Sequence, residues 1–519
     1  MLGSGKGVAI VFRTLISFQT GLVLMGERQQ PGLEMQALNK GVIMTKEAIE
    51  NVLAQRYASP AMVAVWSPTQ KVVLERQLWL AVLRAQKDLG LDVPEGAIEA
   101  YERVIDQVDF DSMTAREKVT RHDVKARIEE FCELAGYEVI HRGMTSRDLT
   151  DNVEQLQVRN ALLLVRDRLV AVLARLAERA VEYTELAIAG RSHNVAAQVT
   201  TFGKRLANAG EETLRAYRRI EELLERYPLR GMKGPMGTSQ DQLELLDGDR
   251  DGLVTLEQGV ARHLGFTEVL NSVGQIYPRS LDHEVVSALK QAAAGPSSLA
   301  TTLRLMAGYE LATEGFKEGQ VGSSAMPHKM NARTCERING FNKILLGYEV
   351  MLGQLAGDQW QEGDVSCSVV RRVALPDAFF AIDGLIEAFL TVLDEFGPYP
   401  AVIERELNRY LPFLATTKVL VASGKQGVGR ETAYAAIQQH AKSVALEMRQ
   451  RGLDQNDLYE RLGEDDRIPF DSEQIRELVG QPIEFIGDSD GQVNRFYSTF
   501  GEIAKEHPEA AVYKPGEIL

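Results

Sequence analysis

Residues 152–189 contain neither glycine nor proline, and that uninterrupted stretch limits the folds open to the chain more than any other feature. Leu162, Val165, Leu169, Val172, Leu173, Leu176 and Ala180 recur at helical i, i+3, i+4 spacing, with Arg168, Arg175, Glu178 and Glu182 on another face. A single helix of that length spans roughly 57 Å at about 1.5 Å per residue. A rod so much longer than an average helix must be buried along much of its length, which requires a bundle. Gly190 ends the pattern, and Arg191-Ser192-His193-Asn194 follows before helical periodicity resumes near Thr200.

Similar apolar segments run over about 283–311, 333–358 and 375–395. Ser67-Pro68-Thr69-Gln70 reads as an N-cap, an N1 proline and a capping-box glutamine, so a helix is expected over residues 68–89 with Gly90 as its stop. No run alternates polar and apolar residues long enough to suggest a sheet. The expected fold class is all-α: a long central helix bundle, residues 151–396, with smaller helical domains at 44–150 and 397–519. The 519 residues suffice for two or three domains sharing a large core.

The net charge of −15 and a pI near 5.2 argue against a nucleic-acid-binding surface, so an anionic ligand needs a local cationic pocket. Cys132, Cys335 and Cys367 are too widely separated for a disulfide framework or a tetrahedral zinc site, which fits a reducing cytoplasm. Residues 7–26 are mostly apolar, with Arg13 and Gln19 inside, and admit a weak signal peptide or membrane anchor. The cysteine usage favours two plainer readings of residues 1–43, a disordered tail or an upstream extension with Met44 as the start. Gly3-Ser4-Gly5-Lys6-Gly7 imitates a phosphate-binding loop but lacks the leading Gly, the hydroxyl residue after Lys and a preceding strand.

Function concentrates in residues 322–331, Gly-Ser-Ser-Ala-Met-Pro-His-Lys-Met-Asn, followed by Ala332-Arg333-Thr334-Cys335-Glu336-Arg337. Paired hydroxyls behind a Gly, a helix-blocking Pro and a Lys-x-Asn step suggest a mobile loop ending in a helix. Such a loop can present a hydroxyl and backbone N–H groups to an anion, with Lys329 adding positive charge. That equipment can stabilise a carbanion beside a carboxylate; the plainer reading is a Ser-rich turn with an N-cap. Further candidate loops are Arg56-Tyr57, Arg121-His122-Asp123, residues 141–148, 234–238, 274–279 and 360–364, and Ser368 with Arg372. Arg56-Tyr57 can clamp a planar anion or form a surface pair, and His122 and His141 can be structural.

The ten-residue string resembles the signature of the fumarase/aspartase superfamily. Arg56-Tyr57, Arg121-His122-Asp123, Gly274-Gln275-x-Tyr277-x-Arg279 and Ser368 four residues before Arg372 make the chain, from about Gln55 to Val444, similar to the adenylosuccinate lyase family. The resemblance implies β-elimination of fumarate from adenylosuccinate, giving AMP, and from the succinylated aminoimidazole carboxamide ribotide in purine synthesis. It also implies no cofactor or metal, no membrane or nucleic-acid partner, and a homotetramer whose sites draw on three subunits. In the catalytic set it places Ser323 as base, with Ser324 open as the alternative, His193 as general acid with Glu336 as its carboxylate partner, and Lys329 stabilising the ionised serine. His141 stands beside Thr145, Ser146, Gln275 and Asn331, which hold the succinyl carboxylates with Lys329. Arg56, Tyr57, Arg121, His122, Asp123, Ser368 and Arg372 surround the nucleotide, with Arg337 on the phosphate side.

The chain departs from the family's pattern in two ways. Gly363 stands where many relatives carry Arg, so one phosphate or ribose contact is either missing or supplied by another residue such as Arg371, and Met330 and Ala332 interrupt the usual Lys-Arg-Asn-Pro. Alternatives are a superfamily lyase acting on argininosuccinate, aspartate or malate, a carboxymuconate cycloisomerase, and a catalytically silent homologue.

Overall fold

The computed structural model of the chain describes residues 50–315 and 325–516. The long apolar run forms one helix, Ser146–Glu182, and its seven periodic residues from Leu162 to Ala180 are fully buried. It begins before the apolar run because Asp148, in its first turn, accepts the Thr145 backbone N–H at 2.8 Å. Arg168 leaves the expected polar face: it is buried 3.2 Å from Glu387 and lies over the Tyr513 ring.

This helix stops at Glu182, seven residues short of the expected end, and the chain turns at Tyr183 into an antiparallel hairpin, Ala187–Ser192 paired with Val195–Thr201. The expectation of no sheet is therefore corrected among the described residues, where the strands of a second sheet are only two residues each. Tertiary packing decides the hairpin. Ala189 and Val199 bury their side chains against Leu407 and Leu414 of the Pro400–Leu414 helix, a partner far away in sequence. His193 and Asn194 form its two-residue turn with φ of 51° and 61°, the twist that closes a hairpin, although neither is the glycine that usually advertises it.

The Ser146–Glu182 helix packs on Phe202–Arg226 and on Ser366–Glu395, which in turn packs on Arg333–Gly353. The apolar segment over 283–311 divides at Ala293 into Ser280–Ala292 and Ala294–Gly308. Pro68–Asp88 forms as expected and Ser67 accepts the Gln70 N–H at 3.1 Å, but the Ser67 N–H goes to Ala64 of the preceding helix. One apolar core runs from Leu53 to Ile403 and takes in Val493, Phe496, Phe500 and Ile503 near the C-terminus; another lies within residues 415–479. No helix among the described residues is long and apolar enough to cross a membrane.

Leu169, fully buried, and Val181, 42% exposed in the last turn of the same helix, separate its buried run from its surface end. Leu169→Ala should lower stability by about 2–5 kcal/mol and Val181→Ala change it by no more than about 0.5 kcal/mol, read by denaturant unfolding. Equal losses would contradict this placement.

Candidate active site

Asp148, Asp151 and Glu154 lie three residues apart on one face of the Ser146–Glu182 helix, and each receives an arginine from a different segment. Buried Arg230 donates to Asp148 at 2.6 Å and to the carbonyls of Gly234 and Gly274 at 2.9 and 3.0 Å. Buried Arg279 reaches Asp151 at 3.1 Å, and the same carboxylate accepts the Tyr277 N–H at 3.2 Å. Arg371 donates to Glu154 at 2.5 Å and to Asp282 at 2.6 Å, and also to the Tyr277 hydroxyl. This row pins residues 274–279, and with them Gln275, beside the first turns of the helix that carries Thr145 and Ser146. The expected site loops also touch one another. A Cβ at Gly237 would meet the Val273 carbonyl at 2.0 Å, and one at Gly274 the Glu362 carbonyl at 2.2 Å, so only glycine permits this approach.

His141 sits at the edge of the same group. Its backbone is left-handed, φ 63°, and the Arg142 carbonyl is clamped by the side-chain amides of Gln86 and Gln242 at 3.2 and 3.1 Å. The indole N–H of buried Trp79 donates to His141 Nδ1 at 3.0 Å. Burial, and then the nearby His122, push the His141 imidazole down to about 4, so it is neutral at pH 7. His122 caps the Asp123–Ala135 helix, its Nδ1 accepting the Lys125 N–H at 3.3 Å; Asp123 pairs with Arg127, and Arg121 is exposed.

The signature segment is described only from Ala325 onward; Ser323 and Ser324, the two candidate bases, lie outside the described residues. Met326–Lys329 forms a turn closed by the Lys329 N–H to the Met326 carbonyl at 3.1 Å, and the Lys329 side chain is exposed. Asn331 and Arg337 are half-buried at the start of the Arg333–Gly353 helix. The first turn of the helix that follows the loop is already occupied. Glu314, itself buried, accepts the N–H groups of Thr334 and Cys335 at 3.0 and 2.9 Å, and so occupies the positive end of the helix.

Among the described residues of the single chain no hydrogen bond or ion pair joins His193 to Glu336. His193 is exposed at the hairpin tip, and Glu336 is exposed on its helix with Arg304 at 3.9 Å. The hairpin packs against the Pro400–Leu414 helix.

The family model described as Lyase matches residues 65–347, and that described as Adenylosuccinate lyase C-terminus matches residues 412–496. The chain is 34% identical to adenylosuccinate lyase of Saccharomyces cerevisiae over 86% of this chain and 93% of that protein, and 32% identical to that of Schistosoma mansoni over 87% and 95%. The chain belongs to the adenylosuccinate lyase family of the fumarase/aspartase superfamily. Solved structures share its fold: the 3-carboxy-cis,cis-muconate lactonizing enzyme of Pseudomonas putida has a TM-score of 0.73 at 19% identity, covering 88% of this chain and all of that one. A fumarate lyase of Mesorhizobium has a TM-score of 0.71 at 20% identity, over 86% of this chain and 99% of that one.

Against the family's pattern, the remaining residues fall as follows. Arg56 is exposed at the end of Val52–Arg56, while Tyr57 is wedged between bundle helices, its ring edge-on to Phe341 at 5.1 Å; the pair is thus half anchored and half open to a ligand. Ser368 is half-buried and Arg372 exposed, one turn apart on the Ser366–Glu395 helix. Arg371 does not replace the missing arginine: it is buried, and its guanidinium is spent on Glu154, Asp282 and Tyr277. Gly363 has φ 143°, a backbone that an arginine adopts only with strain, so the loop itself is shaped for glycine in this chain.

Trp79 and Arg230 escaped the sequence reading. A single tryptophan within an apolar helix face and a lone arginine in Leu229-Arg230-Gly231-Met232 were the available signals. Arg371→Met strands the Glu154 and Asp282 carboxylates and should lower stability by about 3–5 kcal/mol, measured by thermal unfolding. Wild-type stability with a raised KM would instead make Arg371 a substrate contact.

Proposed function

We propose that this chain eliminates fumarate from adenylosuccinate, giving AMP, and from the succinylated aminoimidazole carboxamide ribotide, giving the free carboxamide ribotide. It is a C–N lyase. The observation that carries this reading is the 34% identity to the yeast adenylosuccinate lyase across 93% of that protein. The muconate lactonizing enzyme shares the fold at 19% identity, a likeness that carries no substrate information.

In the elimination, a base removes the proton from the carbon beside a succinyl carboxylate. The electron pair forms the fumarate double bond as the C–N bond breaks, and an acid protonates the departing nitrogen. Ser323 is proposed as the base and His193 as the acid. The exposed ammonium of Lys329 supports an ionised serine and the developing carboxylate charge, acting together with Asn331. Thr145, Ser146 and Gln275, gathered at the start of the Ser146–Glu182 helix, are the proposed seat of the succinyl carboxylates with His141 beside them. On the nucleotide side stand Arg56, Tyr57, Arg121, His122, Asp123, Arg337, Ser368 and Arg372. Support comes from exposed Arg56, Arg121 and Arg372, which form no ion pair among the described residues.

We further propose a cytoplasmic homotetramer with sites shared between copies. Leu305, Leu346, Val350, Val369 and Val373 expose 47%, 50%, 57%, 71% and 48% of their surface on the bundle helices, an apolar face suited to covering by another copy. Exposed His193 and exposed Glu336 can then meet across the assembly. The division into an N-terminal domain at 44–150, a central bundle at 151–396 and a C-terminal domain at 397–519, after an extension at 1–43, stands with this proposal.

Purified protein offered adenylosuccinate, argininosuccinate, aspartate and malate separately should release fumarate from adenylosuccinate alone. Release from a different member of that set only, or from none, would overturn the reading. Ser323→Ala and His193→Ala should each lower turnover by about 10²–10⁴-fold with the fold intact; near-normal rates would reassign the roles. Mixing inactive His141→Ala and His193→Ala proteins should restore activity through sites that combine intact halves. No recovery after verified subunit exchange would sink the shared site.

A further inference from the structure

The Trp79–His141 contact has a chemical consequence. An indole nitrogen can only donate, so the imidazole nitrogen facing it at 3.0 Å must carry a lone pair and no proton. A neutral imidazole has one N–H, and here it must be at Nε2. The geometry around this bond is fixed from several sides. Trp79 is 1% exposed and its ring is stacked on Phe131 at 6.1 Å between centroids. The two rings of the bonded pair meet edge to face at 80°, with centroids 6.0 Å apart. The His141 backbone is held in its left-handed conformation, an arrangement that persists only where the surroundings over-determine it. Among the described residues Nε2 has no hydrogen-bond partner, so its N–H is available to a ligand.

We propose that Trp79 is a positioning residue that locks His141 in the Nε2–H tautomer, making His141 an uncharged hydrogen-bond donor to the substrate rather than a proton acceptor. This rests on the placement of His141 in the substrate site above. Acceptance of a substrate proton at Nε2 would need the opposite tautomer, with the proton on Nδ1, which would then point at the indole N–H. The Cβ proton therefore goes to another base, and His141 contributes a fixed N–H to a carboxylate or carbonyl oxygen of the substrate.

The tautomer can be read without turnover. Long-range ¹⁵N–¹H spectra of the ligand-free wild-type protein, with His141 assigned by its loss in His141→Gln, should show an unprotonated Nδ1 and a protonated Nε2 from pH 6 to 8. Trp79→Phe keeps an aromatic ring but removes the donor. Its His141 should show both tautomers, with kcat/KM lower by about tenfold, the effect of roughly one hydrogen bond. His141→Gln, whose amide N–H stands near the position of Nε2–H, should retain at least tenfold more turnover than His141→Ala. A protonated Nδ1 in the wild type, or a Gln variant no better than Ala, would overturn the proposal. Absence of fumarate release by the wild type would instead defeat the functional reading, while the spectra would still decide the tautomer.

Discussion

The row of carboxylates at Asp148, Asp151 and Glu154 sets the register of the segments around the candidate site. Each takes an arginine from a separate segment, and those segments are the ones that bear or border the site. A buried ion pair adds little net stability over well-packed apolar side chains, because both charges must leave water. Its effect is registry: any slip of the loop strands a charge in the core. The three rungs therefore fix residues 230–234, 274–279 and the start of the Ser366–Glu395 helix relative to one rigid rod.

The groups around this rod differ in how they are held. His141 and Trp79 are locked from several sides, and Gln275 is pinned through its backbone N–H to the Glu362 carbonyl at 2.6 Å. His193 occupies an exposed two-residue turn, and Lys329 an exposed turn before a helix. The pre-shaped half suits recognition of fixed carboxylates. The open half suits groups that must meet a neighbouring surface or a closing segment before they act.

How much of this could be read from the amino acids alone depended on the range of the interactions. The Ser146–Glu182 helix was legible because a long Gly- and Pro-free run with a 3.6-residue period dictates it locally. Its end was not, since the hairpin after it exists only where Ala189 and Val199 meet Leu407 and Leu414. The chemistry-bearing positions stood out as patterned polar residues in loops, and the resemblance assigned their roles. Their supports were hidden by distance along the chain: Trp79 bonds a histidine 62 residues away, Arg230 an aspartate 82 away and Arg371 a glutamate 217 away. The same blindness made Arg371 look like a spare ligand arginine.

Glu314 changes what a synthetic ligand can exploit here. Compounds bearing two acid groups would ordinarily gain from docking one of them on the first turn of a helix, yet the Thr334 and Cys335 amides already hold a resident carboxylate. An inhibitor designed for that seat would compete with the protein's own side chain, at the far higher effective concentration of a tethered group. Selective compounds should instead reach for the ammonium of Lys329 and for the shaped backbone around Gly363.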